Sequence, residues 1–290
     1  MDSLSLAPIV IFVYNRPWHT EKMLESLKNN KLSNLSEIYV FADGQKENVN
    51  ANDLQKINET RALLKKIDWC KKITIIEQDA NKGLATSIIN GVTEVINKHG
   101  KAIVLEDDLL LSSQFLEFMN EGLAVYENAP NVYSINGFMF PINFNQKKVV
   151  LLPYIFTWGW ATWKSKWNAF DSEMEHKETV LANNFLSERF NLGDYKYTNM
   201  LNFENNSWGI KWYYSVFLRN GLSVFPTHSL VKNIGLDGSG TNSGIENEMD
   251  LDINMRMVVN LYEKMDLLFF DKFILYFKKK DKGRFFGRKK

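Results

Sequence analysis

Four short apolar runs punctuate the first 110 residues: 8–14 (Ile9, Val10, Ile11, Phe12 and Val13), 38–41, 73–76 and 102–105. Each is long enough for a buried strand and too short for a helix. Between them, apolar residues recur at helical spacing, first Met23, Leu24 and Leu27, then Leu54, Ile57, Leu63 and Leu64, then across residues 86–98. Alternating strand and helix predicts an α/β sheet covered by helices. Each run also ends in polar residues: Asn15 and Arg16, Asp43 and Gly44, Asn81, Lys82 and Gly83, and finally Glu106, Asp107 and Asp108. In open sheets of this class ligands sit beyond the carboxyl ends of the strands, where strand order switches. Turn chemistry explains any one of these loops, because Asn, Asp and Gly favour turns. Four convergent loops together predict a pocket.

The acidic triplet says what the pocket holds. Three adjacent carboxylates at a strand end repel one another and raise each other's proton affinity. A divalent cation relieves that crowding, and Mg2+ or Mn2+ suits oxygen donors, taking one or two protein carboxylates and completing its shell with water and substrate phosphates. The same acids also suit the first turn of a following helix. No Gly-x-Gly-x-x-Gly follows the first run and no Gly-Lys-Ser/Thr phosphate loop occurs, which argues against a dinucleotide site and a P-loop.

Composition bounds the rest. A 290-residue chain with 45% hydrophobic residues can bury the core of one large domain or two small ones. Its single cysteine, Cys70, cannot form an internal disulfide and fits a reducing compartment. The amino-terminal stretch has no basic segment ahead of it and is interrupted by Pro8, so no secretory leader is expected. The net charge of +1 is uneven: residues 272–290 carry nine Lys or Arg and one Asp, leaving the remainder at −7. An acidic body argues against nucleic acid as partner. The end of the chain, with Leu267, Leu268, Phe269, Phe270, Phe273 and Phe277 before the cations and Phe285 and Phe286 among them, predicts contact with an anionic membrane surface through residues 267–290.

In the second half, four tryptophans fall within ten residues, at Trp158, Trp160, Trp163 and Trp167. Indole faces suit pyranose rings, so Trp158, Gly159 and Trp160 are candidates for an acceptor site. The spacing of Trp160, Trp163 and Trp167 also fits a core helix. The four histidines are too scattered for a metal cluster. His99 precedes Gly100 at a helix end, His19 and His176 have polar helical surroundings and no evident partner, and His228 lies nearest the glycine-rich run 233–241.

The set Asn15-Arg16-Pro17, Ala42-Asp43-Gly44, Asn81-Lys82-Gly83 and Leu105-Glu106-Asp107-Asp108 resembles the GT-A-fold glycosyltransferases. It is similar to the inverting family 2 group and to the animal N-acetylglucosaminyltransferase I, which also carries a Glu-Asp-Asp triplet. The resemblance spans residues 7–140, and the tryptophan-rich segment resembles one found in bacterial members. It implies a GT-A-type, Rossmann-like three-layer sandwich with a central, mostly parallel sheet. Residues 1–140 would form its nucleotide-sugar half, 141–265 its acceptor half and 266–290 a basic aromatic tail.

The resemblance further implies that Asn15 and Arg16 approach the nucleotide and that Asp43 bonds the base. Asn81, Lys82 and Gly83 shape the pocket behind the diphosphate, Glu106 and Asp107 face the ribose or donor sugar, and Asp108 ligates Mn2+ or Mg2+. The catalytic base does not carry over: the animal enzyme holds it in Trp-Asp-Asp-Trp, whereas residues 208–212 here contain no acid. Asp194, Glu204 and Asp237 are the acids in range, with Asp237 ahead of Glu204 because the glycine-rich run could close as a lid. The expected activity is metal-dependent transfer from a nucleotide sugar, a UDP-sugar favoured, to a glycan or lipid-linked glycan. It would proceed with inversion, at the cytoplasmic face of a membrane, in surface polysaccharide synthesis. A nucleotidyltransferase and a non-catalytic sugar-binding protein are the alternatives.

Overall fold

The computed structural model describes residues 5–201, 207–238 and 251–280. Strands β1 (Ile9–Val13), β2 (Glu37–Ala42), β3 (Lys72–Glu77) and β4 (Lys101–Glu106) alternate with helices α1 (Pro17–Lys28), α2 (Ala51–Leu64) and α3 (Leu84–His99), as the apolar pattern predicts. Then follow β5 (Leu109–Leu111), α4 (Phe115–Val125), β6 (Val132–Asn136), β7 (Val149–Leu152), β8 (Trp160–Trp163), β9 (Leu222–Pro226) and β10 (Val231–Asn233). Eight strands form one sheet in the order β3-β2-β1-β4-β8-β6-β9-β7, while β10 and β5 make a separate two-stranded ribbon. The pairs β2·β3, β1·β2, β1·β4 and β6·β9 are parallel. Only β8 and β7 run against the rest, through antiparallel pairs with β4, β6 and β9. The fold is therefore α/β and Rossmann-like, with a mostly parallel central sheet.

Burial explains the apolar runs. β1 is buried at every position and β2 at all but its first, as befits central strands covered on both faces. β3, at the sheet edge, is half-buried between an exposed Lys72 and Glu77, charges that discourage edge-to-edge pairing. α1 begins with Pro17 in its first turn, where the missing N–H costs nothing. α3 is entered through Gly83 at φ +76°, a conformation glycine adopts without strain. It ends at Gly100, whose amide donates to the Ile96 carbonyl at 2.8 Å, and the preceding His99 places Nε2 2.9 Å from the Tyr39 hydroxyl.

Two expectations change. The tryptophan segment is not a core helix: residues 160–163 form β8, and only the single turn Lys164–Trp167 is helical. Trp160 and Trp163, an odd number of residues apart, face opposite sides of the sheet, and both are buried because a strand between β4 and β6 has core on both faces. Nor are residues 266–290 simply a tail. The Leu267–Lys280 helix buries Phe269, Phe273 and Phe277, which share one face at i, i+4 and i+8. Their rings meet Phe144 at 5.1 Å, Tyr154 at 5.7 Å and Phe140 at 4.9 Å. These aromatics belong to the core and are not available to a membrane. Leu267 and Leu268, at 71% and 76% exposure, face outward. Residues 281–290 lie outside the described residues, and among the described ones no helix is long and apolar enough to cross a membrane.

Candidate active site

Strand order 3-2-1-4 reverses between β1 and β4, so the crevice beyond their carboxyl ends is the switch point. The residues following those strands meet there. Arg16, just after β1, donates from Nη1 to Asp108 Oδ2 at 2.9 Å and lies 3.5 Å from Asp107 Oδ1. Glu106 is the last residue of β4, and Asp107 and Asp108 form the tight turn into β5. Burial, then the neighbouring Asp108, then Asp107, hold the Glu106 carboxyl well above the usual carboxylate range, against the pull of Arg16. Burial and Asp108 push Asp107 up to about 7, again opposed by Arg16. The triplet is crowded in space as its sequence predicts, and Arg16 is the cation set against it.

A second unit joins the ends of β2 and β3. Asp43, buried, accepts hydrogen bonds on Oδ1 from the amides of Gly44 at 2.9 Å and Lys82 at 2.8 Å. Its Oδ2 accepts from the Gly83 amide and from Asn81 Nδ2, both at 3.0 Å. Four donors fill the roughly four acceptor positions of a carboxylate. The structure thus brings Asp43, Asn81, Lys82 and Gly83 together, with the carboxylate turned to its own loops. Asn15 Nδ2 donates to Asp53 Oδ1 at 3.3 Å, and burial followed by the charges of Asp53 and Asp43 raises the Tyr14 hydroxyl.

The third wall comes from 120 residues further along. β10 pairs antiparallel with β5, Asn233 opposite Leu109, and the Ile234 amide donates to the Asp108 carbonyl at 2.8 Å. That pairing lays Gly235 on the triplet. A Cβ at Gly235 would overlap Asp108 Oδ2 and stand 2.5 Å from Arg16 Nη2, so any larger residue has to push that ion pair aside. Two residues on, Asp237 Oδ2 lies 3.1 Å from His19 Nε2. His19 thus has the partner its sequence surroundings do not reveal, because 218 residues separate the two. Beside it Trp18 is 55% exposed, its ring edge-on to the imidazole at 4.9 Å. Sequence reading passes over Trp18; its place next to Pro17, at the start of a helix opening on the pocket, is the signal that could have found it.

Other expected residues lie elsewhere. Trp160 is 0% exposed and packs on Trp208 at 5.5 Å and Trp167 at 5.6 Å, so it belongs to the core and cannot touch an acceptor. Gly159, at φ +66°, lets the chain pass Val231 and Phe115, an interior close approach. Trp158 is half-buried, its ring 4.6 Å from that of Phe138. Glu204 lies outside the described residues, as does the glycine-rich run from 239 onward. Asp194 is exposed in the turn closed by Leu192 and Tyr195. His228 Nδ1 is 3.2 Å from the Thr227 hydroxyl.

Among the described residues no three His, Cys, Asp or Glu side chains form a ready-made metal cage. Mg2+ and Mn2+ do not need one, since substrate phosphates and water supply most of their shell. The donor set fits such an ion: hard carboxylate oxygens, crowded enough to raise Glu106 and Asp107, with Asp108 closer to Arg16 than Asp107 is.

No protein-family model matches the chain, and no curated protein matches it. Solved structures with a partial likeness include a mannosyltransferase from Pyrobaculum calidifontis in complex with GDP-Man and Mn2+, at 13% identity and TM-score 0.37, covering 56% of this chain and 46% of that one. This chain therefore spans about half that protein's length. A UDP-glucose pyrophosphorylase complexed with UDP-glucose aligns at 10% identity and TM-score 0.39 over 77% and 91% of the two chains. Mouse xyloside xylosyltransferase 1 aligns at 12% identity and TM-score 0.38 over 72% and 80%. Likenesses this distant leave function to the geometry of the site.

Proposed function

We propose that the chain is a nucleotide-sugar-dependent glycosyltransferase whose divalent ion, Mn2+ or Mg2+, is held by Asp108. The observation that carries this reading is the crowding of Glu106, Asp107 and Asp108 against Arg16 at the switch point between β1 and β4. A bound ion neutralises the charge that grows on a departing nucleoside diphosphate. Arg16 exchanges its carboxylate partners for phosphate oxygens, to which its planar fork is suited. Glu106 and Asp107 face the ribose or donor sugar, the Asp43-tied loop of Asn81, Lys82 and Gly83 backs the diphosphate, and Asn15 flanks the nucleotide, a UDP-sugar being favoured.

On the acceptor side stand Asp237 as base and, as platforms for a sugar ring, Trp158 near Gly159 and the exposed Trp18. A base opposite the leaving group gives inversion. The acceptor is a glycan or lipid-linked glycan of surface polysaccharide synthesis, met at the cytoplasmic face of a membrane. The outward Leu267 and Leu268, with the cations of residues 272–290, support contact with anionic lipid. Removing residues 281–290, which leaves Phe273 and Phe277 in the core, lowers partition to anionic vesicles; unchanged partition rejects the membrane contact.

Thermal unfolding with a panel of UDP- and GDP-sugars, with and without Mn2+, tests the central claim. A ligand at 100 times its Kd adds about 2.7 kcal/mol, which at about 2.1 cal/mol/K per residue over 290 residues raises Tm by about 4–5 °C. Asp108→Asn abolishes the Mn2+-dependent part. Free nucleoside diphosphate as product supports glycosyl transfer, pyrophosphate indicates nucleotidyl transfer, and no metal-dependent shift with any donor refutes the reading.

A further inference from the structure

The loop after β1 sends neighbouring side chains to opposite sides of that strand. In the sheet, β1 lies between β2 and β4. Arg16 faces the acids that follow β4, Asp107 and Asp108. Asn15 instead donates from Nδ2 to Asp53 Oδ1 at 3.3 Å, in the first turn of the helix α2 that follows β2. A nucleotide whose phosphates meet Arg16 and whose base lies over β2 therefore brings the edge of that base to Asn15 and Asp53.

Asp43 and Asp53 both stand on the β2 side, and they differ in what they already hold. Asp43 accepts four hydrogen bonds from its own loops, which fills a carboxylate. Asp53 accepts two, from Asn15 and, on Oδ2, from Asn50 Nδ2 at 2.9 Å, so two acceptor positions stay open. The Asp53 amide donates to Asn50 Oδ1 at 2.8 Å, and Asn50 thereby braces the carboxylate it bonds. Asn15 and Asp53 are half-buried, within reach of a ligand. An amide NH2 carries two hydrogens, so Asn15 Nδ2 keeps one after serving Asp53. Donor and acceptor stand side by side.

We infer that Asn15 and Asp53 select the donor's nucleobase, taking one that presents a ring N–H beside a carbonyl. The inference rests on the glycosyltransferase reading above. Uracil offers N3–H beside O4, and guanine N1–H beside O6. Asp53 accepts the ring N–H while Asn15 donates to the adjoining carbonyl. In cytosine and adenine the corresponding ring nitrogen carries a lone pair beside an amino group, so a carboxylate, which only accepts, meets another acceptor there. A site built to bond a particular N–H rejects an analogue that lacks it, because the site's own polar group is left unpaired. Guanine has a second N–H on its amino group, which the other open position of Asp53 takes.

The test is titration calorimetry of the full chain with Mn2+ against UDP, GDP, CDP, ADP and inorganic pyrophosphate. Wild type binds UDP or GDP about tenfold or more tighter than CDP and ADP, and the tighter of the two names the base. Asp53→Ala removes the acceptor: affinity for that nucleotide falls about tenfold or more, and its preference over CDP and ADP shrinks to within about threefold. Pyrophosphate, which has no base, binds the variant within about twofold of wild type. Asn15→Ala, which keeps Asp53 and removes the donor to the carbonyl, narrows the preference in the same direction and carries the test should Asp53→Ala not fold. A wild type that binds all four nucleotides alike, variants that keep the preference, or a loss of pyrophosphate binding as large as that of the nucleotide overturns the assignment of Asn15 and Asp53 and leaves the parent reading intact. A wild-type chain that binds no nucleotide with Mn2+ overturns both.

Discussion

Asp43→Asn separates two roles for one carboxylate. The expectation drawn from the resemblance is a contact with the nucleotide base, whereas in the structure both oxygens are filled by Gly44, Lys82, Gly83 and Asn81 at 2.8–3.0 Å. Asparagine keeps the shape but turns one acceptor oxygen into an NH2 group. Whichever way the amide is oriented, two of the four donors then face a donor. Each buried N–H left without an acceptor costs about 1–3 kcal/mol, so the variant loses about 2–6 kcal/mol. With an unfolding entropy of about 2.1 cal/mol/K per residue over 290 residues, Tm falls by about 3–10 °C. Scanning fluorimetry or calorimetry without ligand measures this directly. A Tm within 1 °C of wild type, with donor KM raised, would falsify the loop-tying role and return Asp43 to the base.

Three further outcomes follow from particular contacts. Gly235→Ala drives a methyl into Asp108 and the Arg16 guanidinium; overpacking costs about 1–3 kcal/mol, and Mn2+-dependent stabilisation by a nucleotide sugar weakens, whereas an unchanged shift shows that residues 234–238 do not abut the ion site. Phe273→Ala removes a ring that is 0% exposed and costs about 3–5 kcal/mol, a drop of about 5–8 °C by the same conversion; a Tm that does not move shows that the Leu267–Lys280 helix is not docked. The hydrogen bond from Lys148, 2.7 Å away, holds Asp266 below the ordinary carboxylate value of 3.8. A depressed acid stabilises the fold above that value and ceases to as pH falls through its lowered one. Wild type therefore exceeds Lys148→Met in urea midpoint above pH 3.8, and the two converge in stronger acid; a gap that persists there rejects the pair as its source.

The first four strands and three helices were legible because their signals are local. Buried strands such as β1 read as unbroken apolar runs, and helices α1 to α3 carry their own periodicity. The acids of the crevice were legible for the same reason: Glu106, Asp107 and Asp108 are adjacent in the chain, and their repulsion is a property of adjacency. The α/β class follows from those runs alone, as does the convergence of the loops after β1 to β4 on one edge of the sheet.

Tertiary structure decided everything that depends on distant segments meeting. It paired β10 with β5 and so set Gly235 on Asp108 and Asp237 on His19, contacts across more than a hundred residues that no local pattern announces. It set donors from Gly44 and from residues 81–83 on both oxygens of Asp43. It also sorted the aromatics, sending Trp160 and Phe273 to the core and leaving Trp18 exposed. The amino-acid pattern states how apolar a segment is and with what period, but which surface covers a ring depends on the partner packed against it, and that partner is chosen only when the whole chain folds.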